Sequence, residues 1–514
     1  MPVKVAFIGA GSLGFTRRLA IDILAVPELQ DAVFSLTDIS ARNLDMIARL
    51  LRRDIAFNKM PAAVLATTDR RKAIEGADYV INCTRIGGLQ AFKMDIEIPL
   101  KYGVDQCVGD TLCVGGIMYG QRNIPRILEF CRDIRDNAAE NALFLNYSNP
   151  NAMNTWAALQ YGKVRAIGLC HGVEGSHRQI AEVIELLVNG KKSKGARGYR
   201  TVGMNEVHVT AAGINHQTWF IKVIFEGRDW APRLLEGFER HPVFSQTEKI
   251  RIDILRRFGY YSTESNGHIS EYLAWYRKRR GEIRKWIDMR TWIYGETGGY
   301  LRVCTEGRNW FKSDFNNLVK APLSASPGQR SLEHGSRIIE ALETGRIYRG
   351  HFNVRNGGCI GNLPPDAVVE VPCYADAGGI NAACAGNLPL GCAAVCNASI
   401  SVQRLAVEAA VCGDVALLKQ AMLMDPLTGA VCTPPEIARM TDEMLVRQSQ
   451  WLPQYSREIP AARKRFLSGP ILARFKTRGA ARLNIHSLAE MRRKKEEARR
   501  NALAADKGNL VVEK

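Results

Sequence analysis

A glycine-rich turn follows directly after a short apolar strand at the start of the chain. Residues 4–8 form an apolar run. Gly9, Gly11 and Gly14 then follow in the spacing GxGxxG, and a helical pattern continues to about residue 24. Such a turn lets the backbone approach a bound group and directs a helix N-terminus at it. This beginning favours an α/β fold in which the first strand lies inside a parallel sheet.

Strand and helix patterns keep alternating as far as about residue 170. Their positions are strands at 32–36, 64–66, 79–83, 142–147 and 164–169, with helical spacing between them, for example at 122–137. This βαβ alternation predicts an α/β fold with an N-terminal Rossmann domain, a doubly wound parallel sheet.

The remainder of the sequence has a mixed pattern. Strands are predicted near 207–212 and 368–371, and a long helix near 400–412. We therefore expect three regions along the chain. They are a Rossmann domain at 1–200, an α+β substrate-binding and oligomerisation domain at 201–460, and a basic C-terminal tail at 461–514.

The net charge of +18 is concentrated near the C-terminus. Residues 461–500 hold 13 Lys and Arg against 3 Asp and Glu, which accounts for ten of these charges. A solvated helix explains such a run better than nucleic-acid binding does, so a nucleic-acid partner is not expected. The 13 cysteines form no CxxC pair, which is typical of small buried thiols in a reducing compartment.

Neither a membrane segment nor a leader is expected from the sequence. No apolar run approaches the roughly 20 residues that a membrane span needs, and the N-terminus begins with a strand rather than a signal peptide. The expected location is therefore the cytoplasm.

The glycine-rich turn is accompanied by an acidic residue at the end of the next predicted strand. Asp38 lies 24 residues after Gly14, where a carboxylate would accept hydrogen bonds from ribose hydroxyls. This pairing predicts an NAD site rather than an ordinary glycine-rich βα turn, although Arg42 nearby leaves NADP open. The predicted cofactor-binding residues are Gly9, Gly11, Gly14, Asp38 and Asn82.

Polar side chains end three later strands. They are Asn146, Ser148 and Asn149 after one strand, Cys170 and His171 after the next, and Asn215 and His216 after a third. Ligands of open α/β sheets bind beyond the carboxyl ends of the strands. Thiolate and imidazole suit a divalent metal such as Mn, Fe, Co, Ni or Zn.

The residues alone leave two other interpretations open. A histidine on an apolar strand is often a satisfied core residue. Cys170 and His171 could also form a nucleophile pair, but adjacent strand-end side chains usually point apart. This reasoning ends at an NAD-dependent enzyme for a polar substrate, with or without a metal.

Several segments together resemble the NAD- and metal-dependent glycosidases of glycoside hydrolase family 4. They run in order from residue 5 to about 376: VAFIGAGSLGF, GDTLCVGGIMYGQRNIP, NYSNPNAMNTWA, IGLCHG, AGINHQTW, LRRFGYYSTESNGHISEYLAWY and VVEVPCYAD. CHG and DTLCVGGIM are similar to the α-galactosidase, α-glucosidase and α-galacturonidase branches, and TES…H…EY with WLPQY is nearest to the α-galactosidase branch. A phosphate-free α-glycoside, an α-galactoside or an α-galacturonide, is therefore the expected substrate.

The resemblance implies a redox-neutral hydrolysis. The sugar is oxidised at C3 with NAD, loses its C2 proton beside a divalent metal, usually Mn²⁺, and releases the aglycone. Water then adds and the sugar is reduced again. The usual carboxylate pair of glycosidases is not used.

Roles for individual residues follow from the same resemblance. Cys170 and His216 are expected to bind the metal, and Asn149 the substrate hydroxyls. His171 is expected near the glycosidic oxygen. Asp110 is expected to contact the sugar, and His268 is the expected C2 base, with Tyr272 on the same face if the segment is helical.

Three further expectations concern partners and alternatives. The family implies a homo-oligomer, a dimer or a tetramer. A carboxylate on the sugar would need an arginine, for which Arg85, Arg122 and Arg279 are candidates. The alternatives are an NAD-dependent dehydrogenase of a sugar or 2-hydroxy acid, and a non-catalytic NAD-sensing or nucleic-acid-binding protein.

Overall fold

The computed structural model describes residues 2–12, 15–279, 281–287, 292–307, 310–469 and 493. Within these residues, 13 strands form one sheet. The strands are β1 Lys4–Ile8, β2 Val33–Thr37, β3 Ala63–Ala66, β4 Tyr79–Asn82, β5 Leu143–Asn146, β6 Arg165–Leu169, β7 Val207–Ile214, β8 Gln217–Phe225, β9 Arg228–Asp229, β10 Tyr261–Ser262, β11 Tyr348–Arg355, β12 Val368–Asp376 and β13 Gly379–Ala382.

The first six strands are parallel and lie in the order β3-β2-β1-β4-β5-β6. This order is the one found in dinucleotide-binding sheets. β1, β4 and β5 are apolar along almost their whole length and buried on both faces, as the inner strands of a parallel sheet must be. The predicted Rossmann sheet is therefore confirmed.

The sheet continues beyond β6 with antiparallel strands from the second half of the chain. β11 pairs with β6 through Phe352 and Leu169, and β12, β7, β8 and β10 follow in that order. The predicted α+β region thus extends the same sheet. The proposed boundary at residue 200 stays a prediction.

Helices pack around this sheet. They are α1 Phe15–Leu24, α2 Ala41–Phe57, α3 Arg70–Ile74, α4 Gly88–Lys101, α5 Cys113–Asn137, α6 Asn151–Ala157, α7 Gly172–Asn189, α8 Leu234–Arg240, α9 Phe244–Thr247, α10 Lys249–Phe258, α11 Asn266–Tyr272, α12 Ile283–Trp286, α13 Gly299–Gly307, α14 Trp310–Lys320, α15 His334–Thr344, α16 Leu390–Cys412, α17 Val415–Met424, α18 Pro426–Val431, α19 Pro434–Arg447 and α20 Ile459–Ser468.

One described helix, α16, is long and apolar enough to cross a membrane by length and composition alone. Half of that stretch is buried inside the protein, and side chains such as Ile400 and Val407 belong to the main hydrophobic core. Of the predicted basic tail, α20 and Arg493 fall within the described residues, and the remainder lies outside them.

A buried ion pair ties the C-terminal segment to the first sheet. Arg122 on α5 donates to both carboxylate oxygens of Asp95 on α4, at 2.9 and 2.5 Å. Gln448, which follows α19, bonds to both partners. Because both charges are buried, each depends on the other for the interactions that water would otherwise supply.

Replacing Asp95 should therefore leave a buried guanidinium without its counter-charge. We expect Asp95→Asn to lower the free energy of unfolding by about 3 kcal/mol, measured by chemical denaturation. Glu129→Gln breaks the half-exposed Arg126–Glu129 pair on the same helix and should leave the midpoint unchanged. Equal shifts in both variants would contradict this assignment.

Candidate active site

A cleft of about 1010 Å³ opens at the carboxyl ends of β1, β2 and β4. Gly9, Gly11 and Asp38 line it, as the sequence predicted for a dinucleotide. Gly9 has φ +81°, and a side chain there would lie 2.9 Å from Thr84. A Cβ at position 11 would lie 2.7 Å from the Asp38 carboxylate, so both positions need glycine.

Asp38 is held beside the glycine-rich turn by backbone hydrogen bonds. The Gly11 N–H donates to one carboxylate oxygen and the Ser40 N–H to the other, both at 2.8 Å. A carboxylate has about four acceptor positions, so each oxygen can still accept a ribose hydroxyl. Arg42 is exposed and does not line the cleft. Gly14 lies outside the described residues.

Asn82, predicted to bind the cofactor, is fully buried and does not line the cleft. Its amide donates to Asn146 at 2.9 Å, and its carbonyl oxygen accepts from the Thr84 hydroxyl at 2.8 Å. It therefore joins the ends of β4 and β5 and positions Thr84, which does line the cleft.

A second cavity of about 540 Å³ adjoins this cleft. The two share Ser12, Cys83, Thr84 and Arg85 as wall residues. The cavity brings together every predicted catalytic, substrate-binding and metal-binding residue: Asp110, Asn149, Cys170, His171, His216 and His268. A molecule in the cavity would thus lie next to one in the cleft.

Cys170 and His216 meet in this cavity from distant points in the sequence. Cys170 follows β6, and His216 lies in the tight turn between β7 and β8, where it adopts φ +64°. The Cys170 Sγ lies 3.3 Å from the His216 Nε2. A metal bound at about 2.0–2.3 Å from both atoms would hold them roughly 3–4 Å apart, so the geometry fits a shared divalent metal.

The orientation of His216 is set by Thr111. The Thr111 hydroxyl donates to Asp110 at 2.9 Å, and its oxygen lies 2.8 Å from the His216 Nδ1. The same hydroxyl can then accept a hydrogen bond from the Nδ1–H. This assigns the proton to Nδ1 and leaves the Nε2 lone pair facing Cys170, as a metal ligand requires.

The protonation of the pair also suits a metal. Burial lowers the pKa of His216 to about 4, so the imidazole is neutral. Burial, with Glu370 and Glu264 nearby, raises the pKa of the Cys170 thiol well above its usual value. A bound cation would reverse this effect and displace the thiol proton.

His268 lies against His216, with the ring centroids 4.8 Å apart. Its Nδ1 is 2.9 Å from the Glu264 carboxylate and 2.6 Å from the Ser265 hydroxyl. Burial disfavours the imidazolium, but Glu264 outweighs it and raises the pKa of His268 to about 9. Asp110, His216 and His268 could also hold a metal, since their ligand atoms lie within 4.8 Å of one another.

Asp110 lies on a loop that is held in place by hydrogen bonds to Glu271. The buried Glu271 carboxylate accepts backbone N–H bonds from residues 107, 108 and 109, at 2.5, 3.0 and 2.8 Å. Asp110 in turn accepts from the Asn149 amide at 2.8 Å. The two predicted substrate-binding groups are thus hydrogen-bonded to each other, and the loop that carries Asp110 is held in place by Glu271.

The turn that carries Cys170 and His171 rests on the start of α15. The fully buried His334 donates from Nε2 to the Cys170 carbonyl at 3.1 Å. The Glu174 carboxylate also lies 3.1 Å from this Nε2. Glu333 lies 3.6 Å from the His171 Nδ1. His171 itself is 68% exposed, which leaves its ring at the cavity mouth.

Sequence reasoning missed Thr111, Glu264, Glu271, Glu333 and His334. Glu264 precedes His268 by four residues, a spacing that could have suggested the pair. Thr111 directly follows Asp110 but carries no signal of its contact with His216, which is 105 residues away. Glu333 and His334 contact His171 and Cys170 from a segment more than 160 residues further along the chain, so no local spacing indicates these contacts.

A Rossmann sheet, an acidic strand end and an adjoining thiol–imidazole pair form the arrangement of a dinucleotide-dependent enzyme with a candidate metal centre. Comparison with known families agrees. The model described as "Family 4 glycosyl hydrolase" matches residues 4–186, and that of the "Family 4 glycosyl hydrolase C-terminal domain" matches residues 211–428. The chain belongs to the family 4 glycosyl hydrolases, which confirms the resemblance.

Two relatives match most of the chain. An α-galactosidase of Rhizobium meliloti (strain 1021) is 56% identical over 97% of this chain and 99% of its own length. An α-galacturonidase of Bacillus subtilis (strain 168) is 28% identical over 83% and 93%, respectively.

A solved structure shares the fold. The 6-phospho-β-glucosidase of Thermotoga maritima, determined with manganese, NAD⁺ and glucose-6-phosphate, superposes with a TM-score of 0.68 at 23% identity. The match covers 87% of this chain and 99% of that one.

Thr111 gives a test of the candidate metal centre. Thr111→Val should weaken Mn²⁺ binding roughly 10- to 100-fold, because His216 loses the partner that fixes its tautomer. Titration calorimetry with Mn²⁺ would measure this. Thr344→Val, which removes a helix hydroxyl bonded to Glu340, serves as the control. Unchanged Mn²⁺ affinity in Thr111→Val would contradict the assigned orientation.

Asp38 gives a test of cofactor choice. Asp38→Asn keeps an acceptor for Gly11 but removes the charge, and should reduce the preference for NAD⁺ over NADP⁺ about tenfold. Binding calorimetry with both dinucleotides measures the ratio. Asp45→Asn on the exposed face of α2 is the matched control. Equal affinity of the unaltered enzyme for NAD⁺ and NADP⁺ would refute the role of Asp38.

Proposed function

We propose that the enzyme hydrolyses a phosphate-free α-glycoside, an α-galactoside or an α-galacturonide, with NAD⁺ and Mn²⁺ or another divalent metal. The main support is the 3.3 Å approach of Cys170 Sγ to His216 Nε2 in a cavity that shares a wall with the dinucleotide cleft. The activities of the two relatives, an α-galactosidase and an α-galacturonidase, agree with this substrate class.

When bound, NAD⁺ and the metal supply reversible oxidation at C3 of the sugar and stabilisation of the charge that develops when C2 loses its proton. Gly9, Gly11 and Asp38 would hold the dinucleotide, and Cys170 with His216 would hold the metal. The neutral imidazole of His216, and a Cys170 thiol that would lose its proton when a cation binds, suit metal ligation.

Asn149 and Asp110 orient the sugar in this proposal. The Asn149 amide already donates to Asp110, so the pair offers both a donor and an acceptor to neighbouring sugar hydroxyls. The brace from Glu271 keeps Asp110 in place, which favours a fixed substrate geometry.

His268 is the proposed base for the C2 proton. Its Nδ1 contacts Glu264 and Ser265, so in this proposal the proton is taken up at Nε2. A nearby divalent cation would lower the pKa of His268 from its metal-free value of about 9 and so give a neutral imidazole. His171, at the cavity mouth, is placed to assist departure of the aglycone.

We also propose a cytoplasmic location and a homo-oligomer. All 13 cysteines are free thiols, and a metal-binding Cys170 needs a reducing compartment. Leu390, at the start of α16, is 86% exposed, and Tyr374 on β12 is 42% exposed. Exposed apolar side chains of this kind are common in subunit contacts, which supports the homo-oligomer.

The mechanism predicts solvent hydrogen at C2 of the product. Hydrolysis of an aryl α-glycoside in deuterated water, with NAD⁺, Mn²⁺ and a reducing agent, should give a sugar carrying deuterium at C2, observed by NMR. Absorbance at 340 nm should show no net NADH. Unlabelled product would contradict C2 deprotonation, and NADH formed in proportion to product would indicate a dehydrogenase instead.

A further inference from the structure

Arg85 stands on the wall that the dinucleotide cleft and the sugar cavity share. It follows β4 in the loop before α4, and its side chain lines both spaces. The guanidinium carbon lies 4.3 Å from the ring centre of Phe92, 4.8 Å from that of Tyr119 and 5.7 Å from that of Tyr300. The aromatic rings therefore hold the cation in one place.

The polar edge of this guanidinium has no protein partner. Among the residues that the structure describes, none accepts a hydrogen bond from the Arg85 side chain or forms an ion pair with it. A guanidinium carries five N–H donors in a planar fork. Because Arg85 is half-buried and its N–H donors have no acceptor among the described residues, it is suited to bind an anionic ligand.

The carboxylates that line the cavity each have a neighbour other than Arg85. Asp110 accepts from Thr111 and Asn149. Glu264 is paired with His268, and Glu333 lies 3.6 Å from the His171 ring. Within the described lining, no carboxylate lies within ion-pair distance of Arg85, and Asp110 interacts with its charge only at longer range.

The other two arginine candidates lie elsewhere. Arg122 is buried and neutralised by Asp95. Arg279 is 70% exposed and lies 3.7 Å from Glu282. Neither lines the sugar cavity, so only Arg85 among the three can reach a substrate there.

We propose that Arg85 binds a carboxylate of the substrate, which makes an α-galacturonide the preferred substrate class. This inference rests on the proposed glycosidase function and narrows it. A planar carboxylate matches the fork of a single guanidinium bidentately. A phosphate can match the same fork, so the test includes a 6-phosphate substrate.

The positions of Tyr119 and Tyr300 favour the substrate, rather than the cofactor, as the anion that Arg85 binds. Tyr119 and Tyr300 line the sugar cavity but not the dinucleotide cleft. The guanidinium that they flank therefore borders the sugar cavity as well as the dinucleotide cleft, where the glycine-rich turn is built to receive the pyrophosphate.

The test compares p-nitrophenyl α-galacturonide, α-galactoside and α-galactoside 6-phosphate. The unaltered enzyme should cleave the galacturonide best. Arg85→Gln should lower kcat/KM for the galacturonide roughly 100-fold and change that for the galactoside less than about 3-fold. Arg85→Lys, which keeps the charge but not the fork, should be intermediate. Arg279→Gln is the matched control and should behave as the unaltered enzyme.

Three outcomes would overturn the proposal. The first is preferred cleavage of the galactoside or of the 6-phosphate by the unaltered enzyme. The second is an equal loss of kcat/KM on the galacturonide and the galactoside in Arg85→Gln, and the third is a weaker NAD⁺ affinity in Arg85→Gln that accounts for its loss of activity. If Arg85→Gln does not fold, as judged by circular dichroism, Arg85→Lys replaces it in these comparisons.

Calorimetry with D-galacturonate in the absence of metal tests the carboxylate site at Arg85 separately from the glycosidase function. Galacturonate should bind to the NAD⁺-loaded enzyme more tightly than galactose, and Arg85→Gln should remove that difference. If no glycoside is hydrolysed but this difference is seen, the glycosidase proposal fails and the carboxylate site stands. Equal binding of both sugars to the unaltered enzyme overturns the role of Arg85.

Discussion

The whole site depends on the approach of one thiol to one imidazole. Cys170 follows β6 and His216 lies in the turn after β7, and the two strands are not neighbours in the sheet. β11 and β12 lie between them, so the antiparallel strands of the second half of the chain set the distance. The mixed sheet is therefore what completes a candidate metal centre beside a dinucleotide cleft.

Much of the remaining structure holds these two side chains and their neighbours still. Thr111 fixes the ring of His216, and His334 holds the carbonyl of Cys170. Glu271 fixes the loop that carries Asp110. Each of these supports acts through buried polar contacts, which are costly to leave unsatisfied and so define one arrangement. Arg85 differs because its donors remain open to the cavity.

Local patterns in the sequence were enough to predict the parallel strands, the glycine-rich turn and Asp38, because strand burial and turn chemistry are local properties. They also placed the polar strand ends that carry Asn149, Cys170 and His216. The antiparallel β8, β9, β10, β11 and β13 were not predicted. Contacts such as Thr111–His216 and His334–Cys170 join distant segments, and no spacing within one segment reports them.

The most direct measurement is anomalous diffraction at the manganese edge, from crystals of the enzyme grown with Mn²⁺ and NAD⁺. The predicted result is a single strong peak in the cavity, about 2.0–2.5 Å from both the Cys170 Sγ and the His216 Nε2. A peak that lies away from either atom, or no peak in the cavity at saturating Mn²⁺, would contradict the proposed metal centre and the hydrolytic mechanism that depends on it.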